Sequence, residues 1–179
     1  PGTGALLFYA ALAVVVAVFS VIVTRFFYFL EDSFEKIPVH WMWYPAIGGL
    51  IVGIIGYFQP QTMAMGYNLI DDIVNAKLAL TVLASIGALK LLSWSIALAS
   101  GTSGGTLAPL FIIGGSLGGC LGLIFAHLLP GLGIDPRVAG LLGMAVMFAG
   151  SARILLTAAV FALEVTYQPH AILPLLLAC

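Results

Sequence analysis

Charged side chains are scarce in this chain. Only 7% of its 179 residues are charged, whereas 62% are hydrophobic and the net charge is −1. A soluble domain carries about a quarter charged residues, so this composition predicts a polytopic membrane protein, multi-pass in a cell or inner membrane. The lipid bilayer is therefore an expected partner. Nucleic acid is not expected as a partner, because the charge balance leaves no basic surface to bind it.

Cysteine and clustered metal ligands are scarce as well. Cys120 and Cys179 lie in apolar surroundings without metal-ligand spacing, so both are interpreted as small hydrophobes. Asp71 and Asp72 are adjacent. Neighbouring residues do not face the same way on a helix, and a capping or solvent role is favoured over acid–base work. No metal, cofactor or catalytic residue is expected, and the chain is not predicted to be an enzyme.

What the chain has in abundance is apolar segments of helical length. Helices are predicted over residues 4–29, 45–58, 73–99, 106–127, 138–149 and 154–165, with another beginning at 170. Residues 31–40, with Glu31, Asp32, Glu35 and Lys36, are predicted to form a water-exposed loop. Lys90 lies inside a predicted span and is expected to snorkel towards the surface.

Two of these helices, 138–149 and 154–165, are too short to be separate straight spans. Residues 150–153 are expected to interrupt the apolar run between them. Short, broken helices that meet within the membrane are typical of transporters and ion pathways. Arg153 and Glu164 are expected to have local structural roles.

The segment Ser100–Thr106, with the sequence S-G-T-S-G-G-T, is polar and glycine-rich between two apolar stretches. Within a membrane such a segment is tolerated only when it is buried in protein or lines a wet cavity. Pro109 favours the first turn of a helix that begins near Thr106. The first N–H groups of that helix have no internal partner, which predicts an anion site made of main-chain amides. An ordinary surface loop is the alternative interpretation of the segment.

Glycines also recur later in the same predicted helix. Gly114, Gly118 and Gly122 are spaced by four residues, as are Gly115 and Gly119. This spacing lets two membrane helices approach closely, so a packing role is predicted for these glycines.

Three motifs in the same order resemble the CLC family of chloride channels and chloride/proton antiporters. They are Gly105-Thr106-Leu107-Ala108-Pro109 preceded by S-G-T-S-G, the stretch that contains Arg153, Leu156, Thr157, Glu164 and Thr166, and the turn at residues 66–70. The resemblance implies an all-α fold of inverted-repeat helices with broken and tilted spans. It also implies that residues 1–179 are part of such a transmembrane domain, the last helix of the first half plus most of the second, and a piece of a longer chain.

The resemblance further implies a function and a site. The function is halide permeation, with chloride as the ligand, by a channel or a proton-coupled antiporter. The implied anion-binding segment comprises Gly104, Gly105, Thr106, Leu107, Ala108 and Pro109, with the amides of Thr106 and Leu107 on the anion. A homodimer through residues near 4–30 and 154–179 is also implied.

Two positions depart from the family pattern. Leu107 stands where the family has phenylalanine, and Thr106 replaces a residue that is more often apolar. The Leu107 difference changes the side chain that would line the pathway and leaves selectivity open. A fluoride-selective relative, an organic-anion transporter and a non-conducting membrane scaffold are the alternative interpretations of the whole chain.

Overall fold

The computed structural model of this chain describes residues 3–63 and 66–166. Within these ranges the chain is helical and has no strand. The helices are α1 (Thr3–Glu35), α2 (Tyr44–Phe58), α3 (Tyr67–Val74), α4 (Leu80–Ala99), α5 (Leu107–Leu128), α6 (Pro136–Ala152) and α7 (Leu155–Thr166). Four stretches, Gly4–Glu35, Trp41–Phe58, Leu80–Ala99 and Leu107–Leu128, are long and apolar enough to cross a membrane. The helix expected from residue 170 lies outside the described residues.

The first helix is longer than predicted. Its last five residues, Glu31 to Glu35, are helical and their three acids are exposed, so the prediction of a loop from residue 31 is wrong for those five residues. Phe34 explains the extension, because it is only 7% exposed and its ring lies 5.9 Å from that of Tyr44. An apolar contact therefore continues on one face of the helix while its acids face water.

The predicted single helix over residues 73–99 is also wrong, since a turn separates α3 from α4. Ala76 lies in that turn with a φ of +51°. The Lys77 ammonium is 3.1 Å from an Asp71 carboxylate oxygen and 3.6 Å from one of Asp72. Its hydrogen bond to Asp71, followed by the charge of the same carboxylate, raises the pKa of Lys77. Both aspartates thus lie near the end of α3 beside this turn, Asp71 exposed and Asp72 half-buried, in agreement with the solvent role predicted for them.

The core lies where α5 packs against α6. A side chain at Gly143 would meet the main chain of Gly114 and, at 2.9 Å, the Cα of Gly118. A side chain at Gly122 would meet the Cβ of Ala139 at 2.6 Å. The two backbones are therefore in direct contact, and the packing role predicted for the spaced glycines is confirmed.

Helix α6 is short, as predicted, but it ends later than expected. It continues through Ser151 to Ala152, so the predicted interruption falls only at Arg153, which has a φ of +58° and caps the helix. Near this end, the Cβ of a residue larger than glycine at position 150 would collide with Ser20 of α1. At the other end, the Tyr9 hydroxyl accepts a hydrogen bond of 3.0 Å from the Asp135 N–H. Helix α1 is thereby held along the length of α6.

Candidate functional site

The glycine-rich segment begins as the C-terminal cap of α4. Gly101 has a φ of +84°, a conformation that favours glycine, and its N–H donates to the carbonyl of Leu98 at 2.9 Å. The Thr102 N–H reaches the carbonyl of Ala97 at 3.3 Å. This pair of bonds is the Schellman arrangement that closes a helix. The hydroxyls of Ser100 and Thr102 also donate to the Ala97 carbonyl, so both serve the cap.

The segment ends as the N-terminus of α5. Thr106 occupies the N-cap position, and its side chain makes no capping hydrogen bond. The first intrahelical bond runs from the Leu110 N–H to the Thr106 carbonyl at 3.2 Å. Pro109 has no N–H, so three of the four amides that a helix start leaves unpaired are present here, those of Thr106, Leu107 and Ala108. Together with the helix dipole, these amides form a small region of partial positive charge.

Open space surrounds the two glycines before this helix. A Cβ at Gly105 would have no atom within 4 Å, and one at Gly104 would lie 3.8 Å from the Leu98 side chain. Both glycines and Thr106 are exposed, whereas Leu107, Ala108 and Pro109 are half-buried. The structure therefore brings all six predicted site residues together at one helix end, with the main chain accessible on the glycine side.

The Leu107 side chain is half-buried against a second hydrophobic cluster, separate from the glycine contact of α5 with α6. It packs against a cluster of buried apolar residues from α3, α4, α5 and α6, comprising Leu69, Ile70, Ile73, Val74, Leu83, Ile86, Phe111, Ile112 and Met144. Within this cluster, Phe111 is only 2% exposed, and its ring contacts Phe148 at 5.5 Å. The first turn of α5 is thus fixed by apolar packing behind it.

Helix α2 supports the glycine-rich segment from outside. Any Cβ at Gly48 would collide with the Ser100 side chain, and it would lie 3.5 Å from the carbonyl of Ile96. Ser100 itself is buried, with 1% of its surface exposed. Gly48 therefore lets α2 approach the end of α4, a contact that sequence reasoning missed because glycine spacing alone does not identify the partner.

A cavity of about 260 Å³ lies beside the start of α5. Its walls come from α1, α4, α5 and α6, and the lining residues are Val23, Thr24, Phe27, Trp94, Leu98, Thr106, Leu110, Ser151 and Ala152. The indole Nε1 of Trp94 and the hydroxyl of Ser151 are buried and have no hydrogen-bond partner among the described residues. Sequence reasoning did not find this cavity, because its four walls are far apart along the chain.

Lys90 does not snorkel, so that prediction is wrong. The residue is 6% exposed, and its ammonium donates a hydrogen bond of 2.7 Å to the main-chain carbonyl of Thr62. Thr62 lies in the short 3₁₀ turn Pro60–Thr62 that follows α2. The buried Lys90 side chain therefore joins α4 to this turn.

Arg153 lies at the end of α6 and Glu164 on α7. Arg153 caps the C-terminus of α6 and is exposed. Glu164 is exposed on α7, in a shallow apolar groove with Leu156, Thr157, Val160 and Phe161. The local structural roles predicted for Arg153 and Glu164 stay predictions.

Two features identify the class of protein, the helices long enough to span a bilayer and the glycine-rich break between α4 and α5. They are the architecture of an integral, multi-pass membrane protein, and helix ends at such breaks commonly face ions or substrates in transport proteins. More specifically, residues 2–179 match the profile of the voltage gated chloride channel family, and the chain belongs to that family.

Relatives with described functions are similar to nearly the whole chain. The H(+)/Cl(-) exchange transporter ClcA of Vibrio campbellii is 28% identical over 89% of this chain and 35% of its own length. ClcA of Vibrio parahaemolyticus is 27% identical over 100% of the chain and 39% of its own length. The voltage-gated ClC-type chloride channel ClcB of Salmonella dublin is 29% identical over 83% of the chain and 36% of its length. The chain thus spans little more than a third of these relatives.

The fold also matches a solved structure. The crystal structure of a slow cyanobacterial Cl⁻/H⁺ antiporter superposes with a TM-score of 0.85 at 24% identity, covering 99% of this chain and 42% of that one. This likeness confirms the predicted all-α fold of the membrane domain. The resemblance to the CLC family stated from the motifs is likewise confirmed.

Proposed function

We propose that this chain forms one wall of a halide pathway, in which the amides of Thr106 and Leu107 hold a partly dehydrated chloride ion. Gly104 and Gly105 give the ion access to the main chain, and Ala108 and Pro109 complete the first turn. The relatives carry the names of an exchanger and of a channel, so the proposal covers both modes of chloride movement. The chemistry proposed is transport rather than catalysis.

One observation carries the proposal. The N-terminus of α5 has three main-chain amides that the N-cap side chain leaves uncapped, next to glycines with open space around them. Partial charges of this kind bind an anion weakly enough for it to leave, as conduction requires. Residues 100–109 contain no charged side chain that would hold the ion more tightly or repel it.

The test is to delete a single N–H. Replacing Leu107 by its α-hydroxy acid in the intact protein turns the amide into an ester and keeps the side chain. Loss of one donor to a charged acceptor costs about 1.5–3 kcal/mol, so chloride should bind roughly 10–150-fold more weakly. Calorimetric chloride titration and chloride flux from liposomes both measure this loss.

Leu107→Ala is the matched control, because it keeps the N–H and removes the side chain. The proposal predicts that chloride affinity changes much less in this variant than in the ester. Equal affinities of the ester and the unmodified protein would refute the amide site. Flux of fluoride without chloride would favour the fluoride-selective alternative. Flux of organic anions that does not depend on chloride would favour the organic-anion transporter, and the absence of flux for any anion would favour the scaffold.

We also propose that the intact protein is a homodimer through α1 and α7. Apolar side chains on both helices are exposed in the single chain, among them Val14, Ile22, Leu156 and Val160. The part of the implied interface beyond residue 166 lies outside the described residues. Association of these faces would bury apolar surface and allow close van der Waals packing, the main source of helix association in a membrane.

A further inference from the structure

We propose that Phe161 of α7 is a positioning residue for the anion site, which acts on the first turn of α5 through the ring of Phe111. This inference rests on the proposed function and adds a determinant of chloride affinity outside the segment of residues 104–109. The three groups belong to one set of contacts. Leu107 and Phe161 both pack against the cluster of buried apolar residues that contains Phe111.

The Phe111 ring is enclosed by two other rings. Phe111 is only 2% exposed, and its ring lies 5.5 Å from that of Phe148 at an interplanar angle of 87°. On α7, the Phe161 ring lies 5.7 Å from it at 57°. A ring held in a close-packed interior cannot move independently of its neighbours. The position of Phe111 therefore depends on α7 as well as on α6.

Phe111 lies one helical turn after the proposed anion-binding amides. Leu107 and Phe111 are four residues apart in the continuous helix α5, so their side chains lie on the same face. The hydrogen bonds of a helix join each turn to the next. A displacement of Phe111 therefore moves Leu107 and its main-chain N–H as well.

The Phe161 side chain is the large apolar group that α7 turns towards the core, among the side chains of this helix that the structure describes. Leu156 and Val160 are 75% and 56% exposed, and they lie on the other face of α7. Ala158 is fully buried but offers only a methyl group. Phe161 is half-buried and reaches the Phe111 ring. The aromatic contact is thus the route by which α7 acts on α5.

Loss of the Phe161 ring should lower chloride affinity without removing any group that binds the ion. The first turn of α5 would then occupy more than one position, and only one position directs the amides of Thr106 and Leu107 at the same ion. Apparent affinity falls with the fraction of protein in that position. The energy of an aromatic pair corresponds to about a 2–10-fold change in a binding constant.

Phe161→Leu in the intact protein tests this role, with calorimetric chloride titration as the measurement. The matched control is Phe125→Leu, near the other end of α5, where another half-buried ring lies 5.2 Å from that of Phe8. Phe161→Leu should weaken chloride binding about 2–10-fold, and Phe125→Leu should leave it unchanged. Both variants should lose similar stability in detergent unfolding. The dissociation constant of the folded fraction is compared, so this loss of stability does not enter it.

A double-mutant cycle tests the route through Phe111. In a Phe111→Leu background the ring contact is already absent, so Phe161→Leu should have no further effect on chloride affinity. A full additional effect in that background would overturn the route. Unchanged affinity in Phe161→Leu alone, or equal losses in Phe161→Leu and Phe125→Leu, would overturn the positioning role.

The Leu107 ester separates this inference from the proposed function. Weaker chloride binding in the ester together with unchanged binding in Phe161→Leu would overturn the positioning role and leave the amide site standing. Unchanged binding in the ester would refute the amide site, and the positioning role would fail with it even if Phe161→Leu weakened binding. Weaker binding in both proteins, with the Phe125→Leu control unchanged, is the expected result.

Discussion

Replacing Gly143 by alanine should force α5 away from α6. The added Cβ would collide with the carbonyl of Gly114 and would lie 2.9 Å from the Cα of Gly118 and 3.0 Å from the carbonyl carbon of Gly114. Ordinary contacts of a Cβ are about 3.4–4 Å long, so the shortfall is about half an ångström or more. Each obstructing atom belongs to the main chain, and no side-chain rotation relieves the contact.

Gly140→Ala is the matched control for this change. Gly140 is buried in the same helix, but there a Cβ would lie 3.4 Å from the Cγ2 of Ile73 and 3.7 Å from the carbonyl of Gly115. Both substitutions gain about 1 kcal/mol of helix propensity. Overpacking costs about 1–3 kcal/mol, and a backbone obstacle places Gly143→Ala at the upper end. The two variants should therefore differ in unfolding free energy by about 2–3 kcal/mol.

Unfolding of the intact protein in detergent, followed by tryptophan fluorescence, measures this difference. Chloride titration adds a functional measurement, because α5 carries the proposed anion-binding amides. Gly143→Ala should lower both stability and chloride affinity, and Gly140→Ala should leave the affinity unchanged. Equal stabilities of the two variants would refute the conclusion that backbone contact between α5 and α6 holds the site.

Two further predictions concern α4 and α7. Lys90→Met removes the donor to the Thr62 carbonyl, so hydrogen exchange of the amides in Pro60–Thr62 should rise about tenfold or more. Lys77→Met, at an exposed position, is the control and should leave this exchange unchanged. Unchanged exchange in Lys90→Met would contradict a role of this hydrogen bond in holding the turn against α4. Val160→Trp should weaken dimer formation by about 1–3 kcal/mol, as measured by light scattering of the detergent-solubilised protein. Ile54→Trp on α2 is the control and should leave dimer formation unchanged. A monomeric wild type, or a Val160→Trp dimer of unchanged affinity, would refute the interface.

Much of the fold was predictable from the sequence, because helices that span a membrane are long apolar segments of the chain. The bounds of α2 and α5 agree with the predictions to within a residue. The break at residues 75–79 was missed, since Lys77 looked like a charge near a helix start rather than part of an ion-paired turn. The extension of α1 to Glu35 was missed because one buried phenylalanine outweighs the polar residues around it.

The candidate site was predictable for a different reason. Proline fixes the backbone at a helix start and glycine before it leaves the main chain accessible, so Pro109 and Gly105 identified the helix end without tertiary information. Trp94 and Ser151 could not be found in this way. Neither residue belongs to a local motif, and only the packing of α4 and α6 around α1 and α5 brings them to one cavity.

A site made of main-chain amides has a consequence for its specificity. The ligand groups of such a site belong to the main chain, so the position of the helix end contributes to which anion fits. In this chain that position depends on Gly143 against α5 and on Gly48 against Ser100, contacts in which any side chain larger than hydrogen would displace the backbone. Substitutions that alter anion selectivity should therefore occur at packing glycines as well as beside the ion. Leu107 fits the same reasoning, because its amide would contact the anion at the proposed site while its half-buried side chain packs against the core.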